Sequence, residues 1–187
     1  MTGRQVEDEK LMQDVRAGEV AKLEQLFDRH HKSLFRYFLS LTSNRAVSED
    51  LAQEVFFRLL KYRHTYQPGA GFRPWLYSVG RNVWADHLAK HKPEVALPEE
   101  AGEFRGREVP QDRALQKKQE AILLRRALAS LPHEKREVLV LSRYQDMKYE
   151  EIAGILNCEV GAVKVRVYRA LRELSDRFFA LSGERAS

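Results

Sequence analysis

The chain has 187 residues, of which 32% are charged, and its formal net charge at pH 7 is +5. This length allows one or two domains with a hydrophobic core, and the modest positive charge suits a protein that binds a polyanion. A single cysteine, Cys158, excludes an internal disulfide and a cysteine-based metal cluster. Because the polar N-terminus lacks the apolar run of a signal peptide and no apolar stretch reaches membrane-spanning length, we expect a cytoplasmic protein.

The composition favours helices over strands. Only 6 prolines and 10 glycines occur, and strand-like alternation of apolar and polar residues is scarce. Prolines and glycines concentrate in residues 91–112, where acidic residues also outnumber basic ones. The sequence therefore predicts an all-α protein with two small helical domains, residues 1–90 and 113–187, joined by a flexible linker over 91–112.

Residues 1–90 contain four segments with apolar residues at helical spacing, which predict helices over residues 8–17, 20–41, 48–62 and 74–90. The third of these segments carries Asp50, Gln53 and Glu54 opposite its apolar side. Taken alone, such a face is most simply explained as charge exposed to solvent.

Aromatic and basic residues interleave over the segment that ends in the fourth helix. Six aromatic residues between Tyr62 and Trp84 alternate with three arginines. Single-stranded nucleic acids are bound in this way, because rings stack on unpaired bases while cations follow the phosphates. We expect Leu76 to face the core with its apolar neighbours. Four residues cannot all share that face, so some of them must point outward: Tyr77, Arg81, Asn82 and Trp84.

The C-terminal half predicts helices over 113–130 and from Leu131 to Leu141, and then two helices within residues 149–173. The last two are separated by a break in the apolar pattern at residues 157–159. The second of them has no acidic residue between Val160 and Arg172 and presents several basic side chains. This pattern is typical of a helix-turn-helix that places its second helix in the DNA major groove. An ordinary helical hairpin with a solvated basic face is the alternative.

Five short motifs follow one another along the chain: DLAQEVF at 50–56, WLY at 75–77 with RN at 81–82, LP at 131–132, YEEIA at 149–153 and GAVKVR at 161–166. In this order they resemble the bacterial RNA polymerase sigma factors of the extracytoplasmic-function (ECF) type. The resemblance covers roughly residues 8–180. It implies a subunit that binds core RNA polymerase and directs initiation at promoters, rather than an enzyme.

The resemblance assigns a role to each of the three surfaces. The β′ clamp helices of core polymerase would be bound by Asp50, Leu51, Gln53 and Glu54. The −10 promoter element would be met by Tyr77, Arg81, Asn82 and Trp84, with Asn82 capturing a base flipped from the non-template strand. The −35 element would be read in the major groove by Lys164, Val165, Arg166, Tyr168 and Arg169.

The resemblance also implies further partners. Besides promoter DNA and the β′ and β subunits of polymerase, an anti-sigma factor is expected. At several positions, however, this sequence differs from the usual motif of the family. Lys148 stands where a capping Ser or Thr is common, so we expect either that Asp146 caps the next helix or that this helix starts less stably. Ala162 and Val165 replace hydroxyl residues of the usual motif, and Glu159 stands close to expected phosphates. These changes indicate an unusual −35 preference.

Two other classes of function compete with this interpretation. An autonomous helix-turn-helix regulator would bind duplex DNA tightly without polymerase, but it would not need the face at Asp50 or the interleaved aromatics. An enzyme is disfavoured, because no phosphate-binding glycine loop, nucleophile elbow or HExxH motif occurs. His87 and His91 could share a metal, but no third ligand is evident, and the sequence predicts neither a metal site nor a cofactor. Cys158 is expected to be a small apolar filler rather than a redox sensor.

Overall fold

A computed structural model describes residues 3–69, 71–90 and 111–183 of the chain. Within these ranges every regular element is helical, which confirms the predicted all-α fold. None of the described helices is both long enough and apolar enough to cross a bilayer. The α-helices are α1 (Gly3–Ala17), α2 (Leu23–Thr42), α3 (Arg45–Lys61), α4 (Phe72–Lys90), α5 (Gln111–Ser130), α6 (His133–Leu139), α7 (Tyr149–Leu156) and α8 (Val160–Ser182). Short 3-10 turns occupy Val20–Lys22 and Arg63–Thr65, and a π-helical turn occupies Val140–Tyr144.

Helices α2, α3 and α4 pack around one apolar core. Leu34 and Phe38 of α2, Val55 of α3 and Leu76 of α4 are all buried. Gly80 lies where α4 crosses the other two helices, and a Cβ atom built there would lie 3.7 to 3.8 Å from side chains of Leu34, Phe38 and Val55. Helix α4 therefore passes so close to α2 and α3 that even a methyl group would be in contact.

Helix α1 is attached to α2 by a buried carboxylate. Asp8 accepts hydrogen bonds from Arg29 Nη1 at 2.9 Å and from His30 Nε2 at 2.8 Å. The apolar side of α1, which includes Met12 and Val15, is fully buried. The first helix therefore belongs to the same core.

The helices from α5 to α8 pack around the buried side chains of Leu128, Val138, Ile152 and Val167, which belong to the same continuous cluster as the core of α1 to α4. Ion pairs join α6 to α8 at the edge of this core. The Glu173 carboxylate accepts hydrogen bonds from the ammonium of Lys135 and from the Arg177 guanidinium, the latter at 2.6 Å. Both cations hold the pKa of Glu173 below its usual value.

The predicted helix-turn-helix comprises α7 and α8. Helix α7 ends at Leu156, and the left-handed backbone of its C-cap residue Asn157 (φ 49°) turns the chain. The Cys158 N–H donates to the Ala153 carbonyl at 3.0 Å. The expected cap at Asp146 is not formed. Asp146 has a left-handed backbone (φ 51°) and lies two residues before the N-cap, which is Lys148. The Lys148 N–H donates instead to the Glu151 carboxylate at 2.8 Å.

The two groups of helices pack against each other. Helix α4 contacts α7, and α2 contacts both α5 and the π-helical turn. The guanidinium of Arg136 in α6 donates to the carbonyl of Leu41 near the end of α2 at 2.6 Å. Of the predicted linker, residues 91–110 lie outside the described residues, whereas Gln111 and Asp112 begin α5. The domain boundaries given above remain predictions.

Candidate nucleic-acid and protein interfaces

The polar face of α3 is open to solvent at Asp50 and Gln53. Glu54 is half-exposed, and its carboxylate accepts a hydrogen bond from Arg58 Nε at 2.7 Å. Leu51, which was assigned to the same face, is buried and belongs to the core. Asp50, Gln53 and Glu54 can therefore contact a partner directly, while Leu51 packs in the core on the opposite side of the helix.

Arg58 connects this face to α4. Its Nη1 atom donates to Asp86 Oδ2 at 2.6 Å, so that one guanidinium joins a carboxylate of its own helix to a carboxylate of α4. The hydrogen bond to Glu54 is the largest cause that raises the pKa of Arg58, and the contact with Asp86 raises it further, whereas burial acts in the opposite direction. Glu54 is thus held in a fixed orientation at the boundary between the two surfaces.

Phe57 is a candidate contact residue that the sequence reasoning did not identify. Its side chain is 62% exposed, one helical turn beyond Gln53 on the open face of α3. The signal was present in the sequence, since Val55, Phe56 and Leu59 already fill the buried positions and leave Phe57 outside. A large exposed ring beside polar groups is typical of a protein–protein contact.

The four residues assigned to the −10 element differ in exposure. Asn82 is exposed, and the Arg81 side chain is 41% exposed. Tyr77 and Trp84 are 1% and 7% exposed, respectively. The expectation that some of these residues point outward is therefore met by Asn82 and Arg81, while both aromatic rings are covered in this conformation.

Tyr77 is held among residues of both helical groups. Its ring meets that of Tyr37 edge-on, with the centroids 5.3 Å apart. Its hydroxyl donates to Gln145 Oε1 at 2.5 Å and lies 3.1 Å from Ser33 Oγ. Burial raises the pKa of the Tyr77 hydroxyl, which favours the neutral donor.

Trp84 and Arg81 also face the second group of helices. The Trp84 indole stacks on His87, with centroids 5.5 Å apart, and meets His133 edge-on at 6.5 Å. Arg81 Nε lies 3.4 Å from the buried carboxylate of Glu137. One face of α4 is therefore occupied by residues of α6 and of the turn before α7.

Helix α8 presents its basic side to solvent. Its N-terminal half is anchored by buried Val163, Val167 and Ala170. The five residues assigned to the −35 element are all exposed: Lys164, Val165, Arg166, Tyr168 and Arg169. Cations here alternate with exposed apolar groups, an arrangement that suits contacts to phosphates, guanine edges and thymine methyl groups.

No group of three or more potential metal ligands occurs among the described residues, and His91, the second histidine of the considered pair, lies outside them. Cys158 is half-buried and its side chain packs against the core.

Comparison with known proteins identifies both groups of helices. The family description for Sigma-70 region 2 matches residues 26–94, and that for Sigma-70 region 4 matches residues 121–174. These matches contain the α3 and α4 surfaces and most of α8, respectively.

Related proteins align along most of the chain. The ECF RNA polymerase sigma factor EcfG of Rhodopseudomonas palustris is 33% identical over 76% of this chain and 77% of its own length. SigM of Bacillus subtilis is 28% identical over 81% of this chain and 92% of its own length. Two longer ECF sigma factors are matched over 64% of their own length. Among solved structures, CnrH in complex with the cytosolic domain of CnrY superposes with a TM-score of 0.70 and 25% identity, covering 92% of this chain and 97% of CnrH.

Proposed function

The chain belongs to the ECF family of RNA polymerase sigma factors, and we propose that it directs core polymerase to promoters through two separate DNA contacts. One observation carries this proposal: the chain has two chemically different exposed faces. The face on α3 is acidic with an exposed aromatic ring, and the face on α8 is basic with exposed apolar side chains among the cations. The first face repels DNA phosphates and suits a protein partner, whereas the second attracts them. An autonomous repressor would need only the second.

Core polymerase is the proposed partner of α3. Asp50, Gln53 and Glu54 would bind the β′ clamp helices by charge-assisted hydrogen bonds. Phe57 would add an apolar anchor at the centre of the contact, because a desolvated ring contributes more binding energy than rim charges do. The Arg58 bridge to Asp86 supports this assignment, since it fixes the orientation of Glu54 beforehand.

Helix α4 is proposed to open and hold the −10 element. Asn82 would capture a flipped base by hydrogen bonds to its Watson–Crick edge, because an amide offers both a donor and an acceptor. Tyr77 and Trp84 would supply rings for stacking on unpaired bases, and Arg81 would neutralise a phosphate. A base held outside the stack cannot pair again, so that binding energy is converted into strand opening.

Helix α8 is proposed to read the −35 element in the major groove. Lys164, Arg166 and Arg169 would reach phosphates or guanine edges, and Val165 and Tyr168 would make apolar contacts with bases. We further propose that the protein acts in the cytoplasm by binding rather than by catalysis. An anti-sigma factor is a proposed additional partner, as the family resemblance implies, and the similar CnrH was solved in complex with another protein, the cytosolic domain of CnrY.

Run-off transcription with core polymerase on a promoter library tests this function. The wild-type protein should stimulate initiation, and the protein alone should bind promoter duplex weakly. Asn82→Ala should reduce open-complex formation, measured by a permanganate footprint, by roughly tenfold, the cost of one or two lost hydrogen bonds. Core binding, measured by pull-down, should be unchanged.

Gln25→Ala is the matched control, because it removes an exposed amide from α2, a helix to which none of the three surfaces is assigned. It should behave as wild type in both assays. No stimulation of initiation by the wild-type protein would rule out the proposed function. Tight and specific duplex binding without polymerase would support the autonomous regulator instead. Equal losses of core binding and strand opening in Asn82→Ala would contradict the role of Asn82.

A further inference from the structure

The exposed side of α8 consists of an outer ridge and two flanks. The direction of the core is marked by three buried residues of this helix: Val163, Val167 and Ala170. An α-helix turns by roughly 100° per residue, so Val165 points roughly 170° away from the mean direction of these three. Lys164 and Arg166 point roughly 90° and 70° away, on opposite sides. Val165 therefore stands on the ridge farthest from the core, and one cation lies on each flank.

Two large apolar side chains are exposed side by side on this ridge. Val165 is 47% exposed, and Tyr168, three residues further on, is 67% exposed. Side chains at this spacing are neighbours on a helix, with Cβ atoms about 5–6 Å apart, so the two form one apolar surface. Leu171 and Leu174 of the same helix pack against the core, whereas Val165 and Tyr168 do not. The fold does not require these two side chains to be apolar, and their surface is available to a partner.

The charge around the ridge favours duplex DNA as this partner. No acidic residue lies between Val160 and Arg172, so the exposed side of the helix attracts a polyanion. An α-helix with its side chains is about 10–12 Å across, and the major groove is about 12 Å wide. An inserted helix therefore presents its ridge to the base edges and its flanks to the two phosphate backbones. In this placement Val165 meets bases, while Lys164 and Arg166 meet phosphates.

The apolar character of the ridge selects among the four bases. In the major groove guanine, adenine and cytosine present hydrogen-bond donors and acceptors, and only thymine presents a methyl group, at C5. An aliphatic side chain placed on a donor or acceptor displaces its water without replacing the hydrogen bond, which is unfavourable. On a thymine methyl group the same side chain instead buries apolar surface on both molecules. The ridge therefore matches thymine better than any other base.

We propose that the −35 element of this protein contains thymines in neighbouring base pairs and that Val165 and Tyr168 recognise them through their C5-methyl groups. The two residues are separated by about 4.5 Å along the helix axis, close to the spacing of about 3.4 Å between base pairs. Lys164 and Arg166 bind the flanking phosphates rather than guanine edges. This inference rests on the −35 role proposed above for α8 and adds the bases that the helix selects.

Uracil substitution in the promoter tests the proposal. The full chain in complex with core polymerase first selects its preferred duplex from a library randomised across the −35 region, and thymine is expected at two neighbouring positions, on either strand. Each selected thymine is then replaced by uracil, which removes the C5-methyl group and leaves every hydrogen-bonding group in place. Loss of one buried methyl group should weaken binding about fourfold, measured by fluorescence anisotropy of labelled promoter.

Two variants assign each methyl group to a side chain. Val165→Ala should no longer distinguish thymine from uracil at one of the two positions, and Tyr168→Ala should no longer do so at the other. Lys164→Gln should weaken binding to thymine and uracil duplexes equally and lower the salt dependence of log affinity by about one unit of slope. Leu181→Ala, at an exposed apolar residue near the end of α8, is the control and should behave as wild type. Circular dichroism melts establish that all four variants are folded.

Selection of −35 duplexes without thymine, or equal binding of thymine and uracil duplexes by the wild-type complex, would overturn the proposal. Sensitivity to uracil that persists at both positions in Val165→Ala and Tyr168→Ala would overturn it as well. Weaker binding of these variants to core polymerase, with the thymine preference intact, would assign the ridge to a protein contact instead. Run-off initiation by the wild-type protein would leave the proposed function intact in each of these cases, whereas no initiation at all would overturn both.

Discussion

Phe57 shows how a single exposed side chain refines the proposed polymerase contact. The ring projects from the same face of α3 as Asp50 and Gln53, and it has no role in the core on which that helix rests. Polar groups at a protein interface determine orientation, while a desolvated aromatic ring supplies much of the affinity.

Phe57→Ser should therefore weaken binding to core polymerase by roughly tenfold or more, since burying a phenyl ring contributes about 1.5–3 kcal/mol. Its melting temperature should stay close to that of wild type because the ring is exposed. Fluorescence anisotropy with labelled protein measures the affinity. Val20→Ser, at an exposed apolar residue of a 3-10 turn, is the control. Equal affinity of Phe57→Ser and the control would exclude Phe57 from the contact.

Tyr66 is a residue whose chemistry affects stability rather than binding. Its ring is fully buried against Trp75 at a centroid distance of 5.1 Å, and its hydroxyl has no hydrogen-bond partner among the described residues. Burial, and secondarily the charge of Glu9, raises the pKa of Tyr66 to about 12. In the unfolded chain a tyrosine titrates near pH 10.

Because the pKa of Tyr66 is higher in the folded state, its contribution to stability is complete below pH 10 and is lost as the pH rises towards about 12. Tyr66→Phe should therefore reduce the alkaline loss of stability in urea titrations between these values. At pH 7 it should be neutral or slightly stabilising, since it removes an unsatisfied buried hydroxyl. Tyr62→Phe, at a partly exposed ring, is the control, and an identical alkaline decline in both variants would contradict the prediction.

At the scale of the element, the start of α3 determines where the proposed polymerase face begins. The sequence predicted a helix beginning at residue 48, but α3 already begins at Arg45. The reason is Asn44, whose Oδ1 atom accepts a hydrogen bond from the Val47 N–H at 3.0 Å and caps the helix.

Asn44→Ala should cost about 1 kcal/mol of stability and lower the melting temperature by roughly 2–4 °C. Asn44→Ser should retain most of the stability, because a serine hydroxyl can accept the same hydrogen bond. Thermal unfolding followed by circular dichroism compares the two variants. Similar losses in both would show that capping is not the function of Asn44.

The spacing of apolar residues predicted the position and orientation of the first half of α8, but not the full length of the helix. Valines at helical spacing located its first half and oriented its basic face, because each buried position leaves its neighbours outside. The helix continues to Ser182, well beyond the predicted recognition segment, since Leu171 and Leu174 pack against the core as well. The sequence did not predict that Asp146 would fail to cap α7, because the left-handed backbone at Asp146 cannot be deduced from the residue type alone.

At the scale of the whole molecule, periodicity predicted the helices but not how the two groups of helices meet. Their interface depends on polar residues far apart in sequence, including Ser33, Tyr77, Glu137 and Gln145, and such contacts leave no periodic signal. For the same reason the sequence could not reveal that Tyr77 and Trp84 are covered while Asn82 stays exposed. The exposed surfaces on α3 and α8 were predictable because each follows from a single helix.

The covered aromatic side of α4 has a consequence for nucleic acids other than promoters. Rings that stack on unpaired bases do so with little regard for sequence, and a basic protein that displayed them permanently would adsorb to messenger RNA and to replication forks. With Tyr77 and Trp84 covered, copies of this protein that are not bound to polymerase would not bind these abundant single strands. The contact between the two groups of helices would then protect the rest of the cell's nucleic acid from the strand opening that we propose for α4.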